Sequence, residues 1–154
     1  MIEYARPSFD GYDESIAATM IKANNDQVMG GLPKYLGAHF VEFSPGRLLA
    51  TMEVREDLVT LMGTLHGGVM AGFVDHVMGC VLYPLMAKGQ WAATTEFKLN
   101  YLATVKAGEL RAESTVVSMG RRSSVVRVEV VNDGRLVCTA QGTLLISTPP
   151  AARK

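Results

Sequence analysis

The chain has 154 residues, 48% of them hydrophobic and 19% charged, with Lys plus Arg numbering 15 and Asp plus Glu 15. A chain of that length buries roughly 70% of its unfolded surface, so residues 1–154 are expected to form one domain, and the composition excludes disorder. A net charge of zero excludes a general nucleic-acid binder, which carries a basic excess.

Asp13 can cap a helix in which Ile16, Met20 and Ala23 recur at helical spacing and Gly30-Gly31 is the stop, predicting an amphipathic helix over 13–29. A hairpin follows, with strands over 37–43 and 47–55 joined by Ser44-Pro45-Gly46. Leu48, Ala50, Met52 and Val54 share one face of its second strand, with Arg47, Leu49, Thr51, Glu53 and Arg55 opposite. Residues 56–65 read as a loop. His66-Gly67-Gly68 then opens a long apolar segment that Lys88-Gly89 closes, with Pro84 near its last turn. About 20 residues at 1.5 Å each predict a helix of roughly 30 Å. Asp75, His76 and Pro84 interrupt it, so it reads as a buried helix and not as a membrane span.

Four strands complete the pattern. Over 94–101, Phe97, Leu99 and Tyr101 lie opposite Glu96, Lys98 and Asn100. The next strands span 109–119, 123–131 and 135–147, the last two joined by the hairpin turn Asn132-Asp133-Gly134. The tail, 148–154, is expected to fray. This order predicts an α+β fold, a curved antiparallel sheet of about six strands wrapped around one long helix, with a short N-terminal helix. One sheet cannot cover a helix that is apolar on most sides, so at least a homodimer is expected.

No GxSxG, Walker A, GxGxxG or HExxH motif occurs. Cys80 and Cys138 form neither a CxxC nor a Cys/His cluster, so no structural zinc site and no disulfide framework is expected, and both read as core thiols. The N-terminal stretch is polar and lacks a signal-peptide core, which makes the cytoplasm the expected location. Of His39, His66 and His76, only His66 stands beside glycines at a predicted helix start. Free N–H groups and the helix dipole there would stabilise an oxygen gaining negative charge, such as an ester or thioester carbonyl. A plain tight turn into a helix is the other reading of those residues.

Asp75 lies in an apolar run, and burying a carboxylate is costly unless it is paired or functional. Gly68, Gly72, Asp75 and Gly79 share one helical stripe, open to a ligand or a partner helix, whereas Met70, Val74, Val77 and Val81 form a bulky stripe suited to a sheet. The alternative for Asp75 is close packing with a bond to neighbouring backbone. His76, about 100° around the helix, reads as packing. Gly120-Arg121-Arg122-Ser123-Ser124 joins two strands; its arginines and hydroxyls could hold phosphates or form a solvated hairpin.

The run Gly63-Thr-Leu-His-Gly-Gly-Val-Met-Ala-Gly-Phe-Val-Asp75, the strand 94–101, the turn Lys106-Ala-Gly-Glu109 and Ala140-Gln-Gly-Thr143 together resemble the hotdog-fold acyl-CoA thioesterases, in particular the PaaI-like group. The resemblance covers residues 37–146. It implies a hotdog fold and a homodimer, often paired into a homotetramer, with active sites between subunits: the HGG loop from one, the acid from the other. It implies that Gly67 N–H polarises the thioester carbonyl with Gly68 beside it, and that His66 shapes the loop. Asp75 would be general base or nucleophile, and Thr94 would supply a hydroxyl that orients the water. Arg121, Arg122 and Ser123 would hold the nucleotide end of coenzyme A. Many relatives carry Asn where Thr60 stands. Threonine offers a shorter donor, and losing one carbonyl donor can cost on the order of 100-fold in rate.

The expected activity is hydrolysis of an acyl-CoA to free acid and CoA, with no metal and no cofactor beyond the CoA of the substrate, and with no nucleic-acid or membrane partner. The competing reading is a non-catalytic acyl-CoA binding module or sensor, which Thr60 favours and Asp75 disfavours. A hotdog dehydratase would need a different histidine motif, which the sequence lacks.

Overall fold

Alternating burial along Arg47–Glu53, Glu109–Met119 and Ser123–Asn132 gives each of these strands one apolar face. They are β2, β4 and β5 of a six-stranded antiparallel sheet completed by β1 (His39–Ser44), β3 (Trp91–Tyr101) and β6 (Arg135–Ser147). The strand order is β1-β2-β4-β5-β6-β3. The structure, a computed structural model, describes residues 7–28 and 30–148. Among the described residues, three α-helices accompany the sheet: α1 (Glu14–Asn25), α2 (Gly31–Leu36) and α3 (Gly67–Cys80). α3 lies against the inner face of the sheet, and the expected stripe of Met70, Val74, Val77 and Val81 is buried there, joined by Phe73 and Met78. This is the hotdog arrangement.

α3 is shorter than its apolar segment. It spans 14 residues and gives way to a 3-10 turn at Tyr83–Leu85. Pro84 lacks an N–H and disfavours helical backbone at the residue before it, so the α-helix stops ahead of it. By length and composition Gly67–Leu85 could cross a membrane, yet half of that stretch is buried inside this fold.

α1 begins as expected, with the Asp13 carboxylate accepting from Ser15 N (2.8 Å) and Ile16 N (3.1 Å). It ends at Asn25, and the expected end at position 29 lies outside the described residues, as does 149–154 of the tail. Two asparagines dock it. Asn24 donates to Ala38 O (2.8 Å), and Asn25 both donates to Phe40 O and accepts from Phe40 N (2.8 Å each). The Asn25 amide thus occupies the free backbone of edge strand β1.

α2 occupies 31–36, ahead of the expected strand 37–43 and where the pattern predicts no element, and the strand itself, β1, begins at His39, two residues later than expected. Pro33 is tolerated because it sits in the first turn, and Gly37, at φ 73°, closes the helix in the left-handed conformation. Arg55 caps it, donating to Leu36 O (3.0 Å) and Tyr35 O (2.7 Å). α2 also covers Gly72 of α3, where a Cβ would stand 3.2 Å from Leu32 and 3.5 Å from Leu36. The partner helix that the small-residue stripe admits at Gly72 therefore comes from the same chain.

Candidate active site

A tight loop delivers the chain into α3. Thr60 N donates to Thr64 O (2.7 Å) and Gly63 N to Thr60 O (2.9 Å), with Gly63 at φ 69°. The Thr60 hydroxyl serves this turn, lying 3.1 Å from the Thr64 hydroxyl and accepting from Met62 N at 3.3 Å. His66 N then donates to Leu58 O (3.0 Å) and Leu65 N to Val105 O (2.8 Å), which anchors the helix start.

His66 is the N-cap of α3. Its Nδ1 accepts from Gly68 N (2.9 Å), so in the neutral ring the proton resides on Nε2. Val69 N (3.0 Å) and Met70 N (3.3 Å) both donate to His66 O. Among the described residues this leaves one first-turn amide, Gly67 N–H, without an acceptor. Tyr101, at the end of β3, donates its hydroxyl to Gly67 O at 2.8 Å. A cavity of about 420 Å³ opens here, lined by Thr60, Gly67, Met70, Tyr101 and Val105 among others.

Asp75 occupies a second depression, of about 520 Å³, with Ala71, Gly72, Thr94, Thr95, Glu96 and Phe97. Its Oδ1 is buried and has no hydrogen-bond partner among the described residues. Thr94 reaches this depression through a bulge. The pairing of β3 with β6 shifts between Thr94 and Glu96, and Thr95 turns its hydroxyl to Thr143 O (2.9 Å). Ala92 lies against the core on one side of the bulge, and Phe97 and Leu99 on the other. The extra residue thus brings Thr94 and Phe97 to the same face. Gly142 of β6 permits the close approach, since a Cβ there would stand 2.5 Å from Glu96 O and from Phe97 Cβ, and 2.8 Å from Met78 Sδ.

The neighbours of Asp75 on α3 belong to the core, as their spacing predicts. His76 Nε2 lies 3.0 Å from Asn24 Oδ1, and the ring stacks on Phe40 with centroids 5.2 Å apart. Burial pulls its pKa down to about 4, partly opposed by the nearby Asp75 charge. Burial pushes the Cys80 thiol up to about 12 and Cys138 to about 11, so neither is a thiolate nucleophile at neutral pH.

Arg121, Arg122 and Ser123 are exposed on the β4–β5 hairpin. Gly120 N donates to Ser123 O and Ile146 N to Arg122 O, both at 2.9 Å. A depression of about 570 Å³ is lined by Arg121, Arg122, Gln90, Ser147 and Thr148 among others; Ser123 stands outside that lining. No cluster of three or more His, Cys, Asp or Glu side chains suited to a metal ion occurs among the described residues.

The expected site residues therefore fall into three groups. Thr60, His66, Gly67 and Gly68 gather at the start of α3, Asp75 and Thr94 share the second depression, and the arginines border the third. Asp75 lies eight helical steps beyond Gly67, a rise of about 12 Å, so one chain cannot place both on one carbonyl. The contact of Tyr101 with Gly67 has no signal in the sequence, where Tyr101 reads only as an inward position of a strand.

Residues 62–139 match the model of the thioesterase superfamily. Human acyl-coenzyme A thioesterase 13 is 26% identical over 129 residues, covering 82% of this chain and 87% of that protein. The phenylacetic acid degradation protein PaaI of Thermus thermophilus, solved in a mutant form, is 29% identical at a TM-score of 0.67, covering 73% of this chain and 95% of its own. A thioesterase of Haemophilus influenzae has a TM-score of 0.80 at 21% identity, covering 87% and 94% of the two chains, which is a likeness of fold.

Proposed function

The chain belongs to the thioesterase superfamily and is a thioester hydrolase, and from that premise we propose that it hydrolyses acyl-CoA esters at sites shared between two subunits. The free Gly67 N–H carries this reading. Three neighbouring amides of the first turn are satisfied by His66, and this one is left facing a cavity. A thioester oxygen bound there would gain a donor and the positive end of the helix dipole as charge develops on it. Asp75 of a second subunit supplies the base. It takes a proton from a water held by the Thr94 hydroxyl, the water oxygen bonds to the carbonyl carbon, and collapse breaks the C–S bond as Asp75 returns the proton to the departing sulfur, releasing free acid and CoA thiol. Support for the base comes from its buried, unpartnered oxygen beside Thr94. Arg121 and Arg122 would hold phosphates of the CoA tail. The name of the human relative supports an acyl-CoA substrate.

Subunit mixing tests the shared site. Gly67→Pro removes the N–H, suits the first position of a helix and obliges the exposed Tyr101 ring to give by a few tenths of an ångström, and His66, at φ −67° and ψ 133°, already has the backbone that precedes proline. Asp75→Asn removes the base. Free-thiol release from short, long and aromatic acyl-CoAs should be nearly lost in each variant alone. Random reassociation makes half of the dimers mixed, each with one intact site of two, so activity should return to about a quarter of wild type. A mixture no more active than its parts would refute the shared site.

A further inference from the structure

The peptide joining Gly67 to Gly68 is gripped at both ends. Its carbonyl accepts from the Tyr101 hydroxyl at 2.8 Å, and its N–H donates to His66 Nδ1 at 2.9 Å. Consecutive glycines at a helix terminus have the poorest hold on helical backbone, since they lack side chains to pack and lose the most entropy on ordering. The Tyr101 grip comes from the sheet: Tyr101 pairs with Cys138 at the end of β3. The residue is 58% exposed, so core packing does not account for a phenol at this position. A Cβ on Gly67 would stand 3.0 Å from the Tyr101 oxygen and 3.2 Å from Cζ, so the close approach suits glycine.

We propose that Tyr101 is a positioning residue for thioester hydrolysis: its hydroxyl locks the Gly67–Gly68 peptide, which shares the Gly67 Cα with the His66–Gly67 peptide that carries the donor, and so fixes the glycine's backbone with Gly67 N–H already aimed when the substrate carbonyl arrives. The inference rests on the reading of Gly67 N–H as the carbonyl's donor. A donor fixed in advance needs no reorganisation as charge develops, whereas a frayed helix start must be ordered at that moment.

Tyr101→Phe keeps the ring and deletes the bond. The expected result is a kcat lower by about tenfold with KM within about twofold, because the bond acts on the transition state more than on binding. The melting temperature should be unchanged; a fall in kcat accompanied by a clear fall in melting temperature would assign Tyr101 a structural role and overturn the proposal. Infrared difference spectra give the direct readout, using benzoyl-CoA bound to Asp75→Asn. Its thioester carbonyl band should move to lower frequency than in water, and should move part of the way back and broaden in Asp75→Asn/Tyr101→Phe. A shifted band identical in the two proteins would overturn the role of Tyr101 and leave Gly67 as the donor. A band that does not shift in Asp75→Asn would overturn the Gly67 reading and this inference with it.

Discussion

Among the described residues, a hydrogen-bond donor is left over at the start of α3, and an acceptor is left over at Asp75 in the middle of the same helix. The two regions reach that condition by different routes. The helix start is built mostly from local chemistry, a capping imidazole and two glycines, with one long-range grip on the backbone from Tyr101 of β3. The Asp75 region is built from distant chain segments, through a bulge in β3 and a glycine in β6 that lets β3 and α3 converge. Each is incomplete in the sense the other would satisfy, and about 12 Å of helix keeps them apart within one chain. The contrast explains why a second subunit is part of the proposed chemistry and not merely a cover for apolar surface.

The largest effect should come from the acceptor side. Asp75→Asn retains the side chain's shape, and kcat should fall on the order of 1,000-fold as the base is lost. Its melting temperature should hold or rise, since a buried carboxylate oxygen without a partner no longer needs to be desolvated. A folded variant keeping more than about a tenth of wild-type turnover would break the assignment.

On the donor side, Gly67→Pro should lower kcat on the order of 100-fold, the scale for losing one donor to a developing oxyanion. Substrate binding should change little, which steady-state kinetics would separate as an effect on kcat and not on KM.

His76 sharpens the comparison because it is a partly buried polar neighbour of Asp75 that is fully partnered. Its folded pKa of about 4 lies below the ordinary 6.5, so folding favours the neutral ring. Its contribution to stability is fully present above about pH 6.5 and is lost as pH falls toward 4, by on the order of 3 kcal/mol in total. Chemical denaturation at several pH values should show that slope, and His76→Gln should flatten it.

The smallest effect belongs to the exposed hairpin. Replacing Arg121 and Arg122 by alanine should raise KM for CoA esters about fivefold at most and leave kcat near wild type, because exposed charges are well screened. Raising salt on the wild-type protein should move KM in the same direction.

Much of this architecture was legible in the residues themselves. The bounds of β4 and β6, the Asp13 cap, the buried stripe of α3 and its start at His66-Gly67 all agree with the pattern. So does the turn at Asp133 and Gly134, with φ values of 50° and 75°. These features depend on neighbours a few positions away, where apolar periodicity, capping oxygens and turn glycines act directly. α2 leaves no signal in the sequence because its holding forces are remote: Arg55 on its last carbonyls and Leu32 and Leu36 over Gly72.

Within the site, the residue types at the helix start and the isolated acid were evident from sequence, but their surroundings were not. The bulge that turns Thr94 toward Asp75 exists because β3 pairs with β6 in a shifted register. The Tyr101–Gly67 bond links positions 34 residues apart. The Thr60 hydroxyl is drawn into its own turn by Thr64. Period and propensity determine which residues can face inward. Which of them meet is decided by strand register and by how closely backbones approach at glycines, and those follow only when the whole sheet closes on the helix.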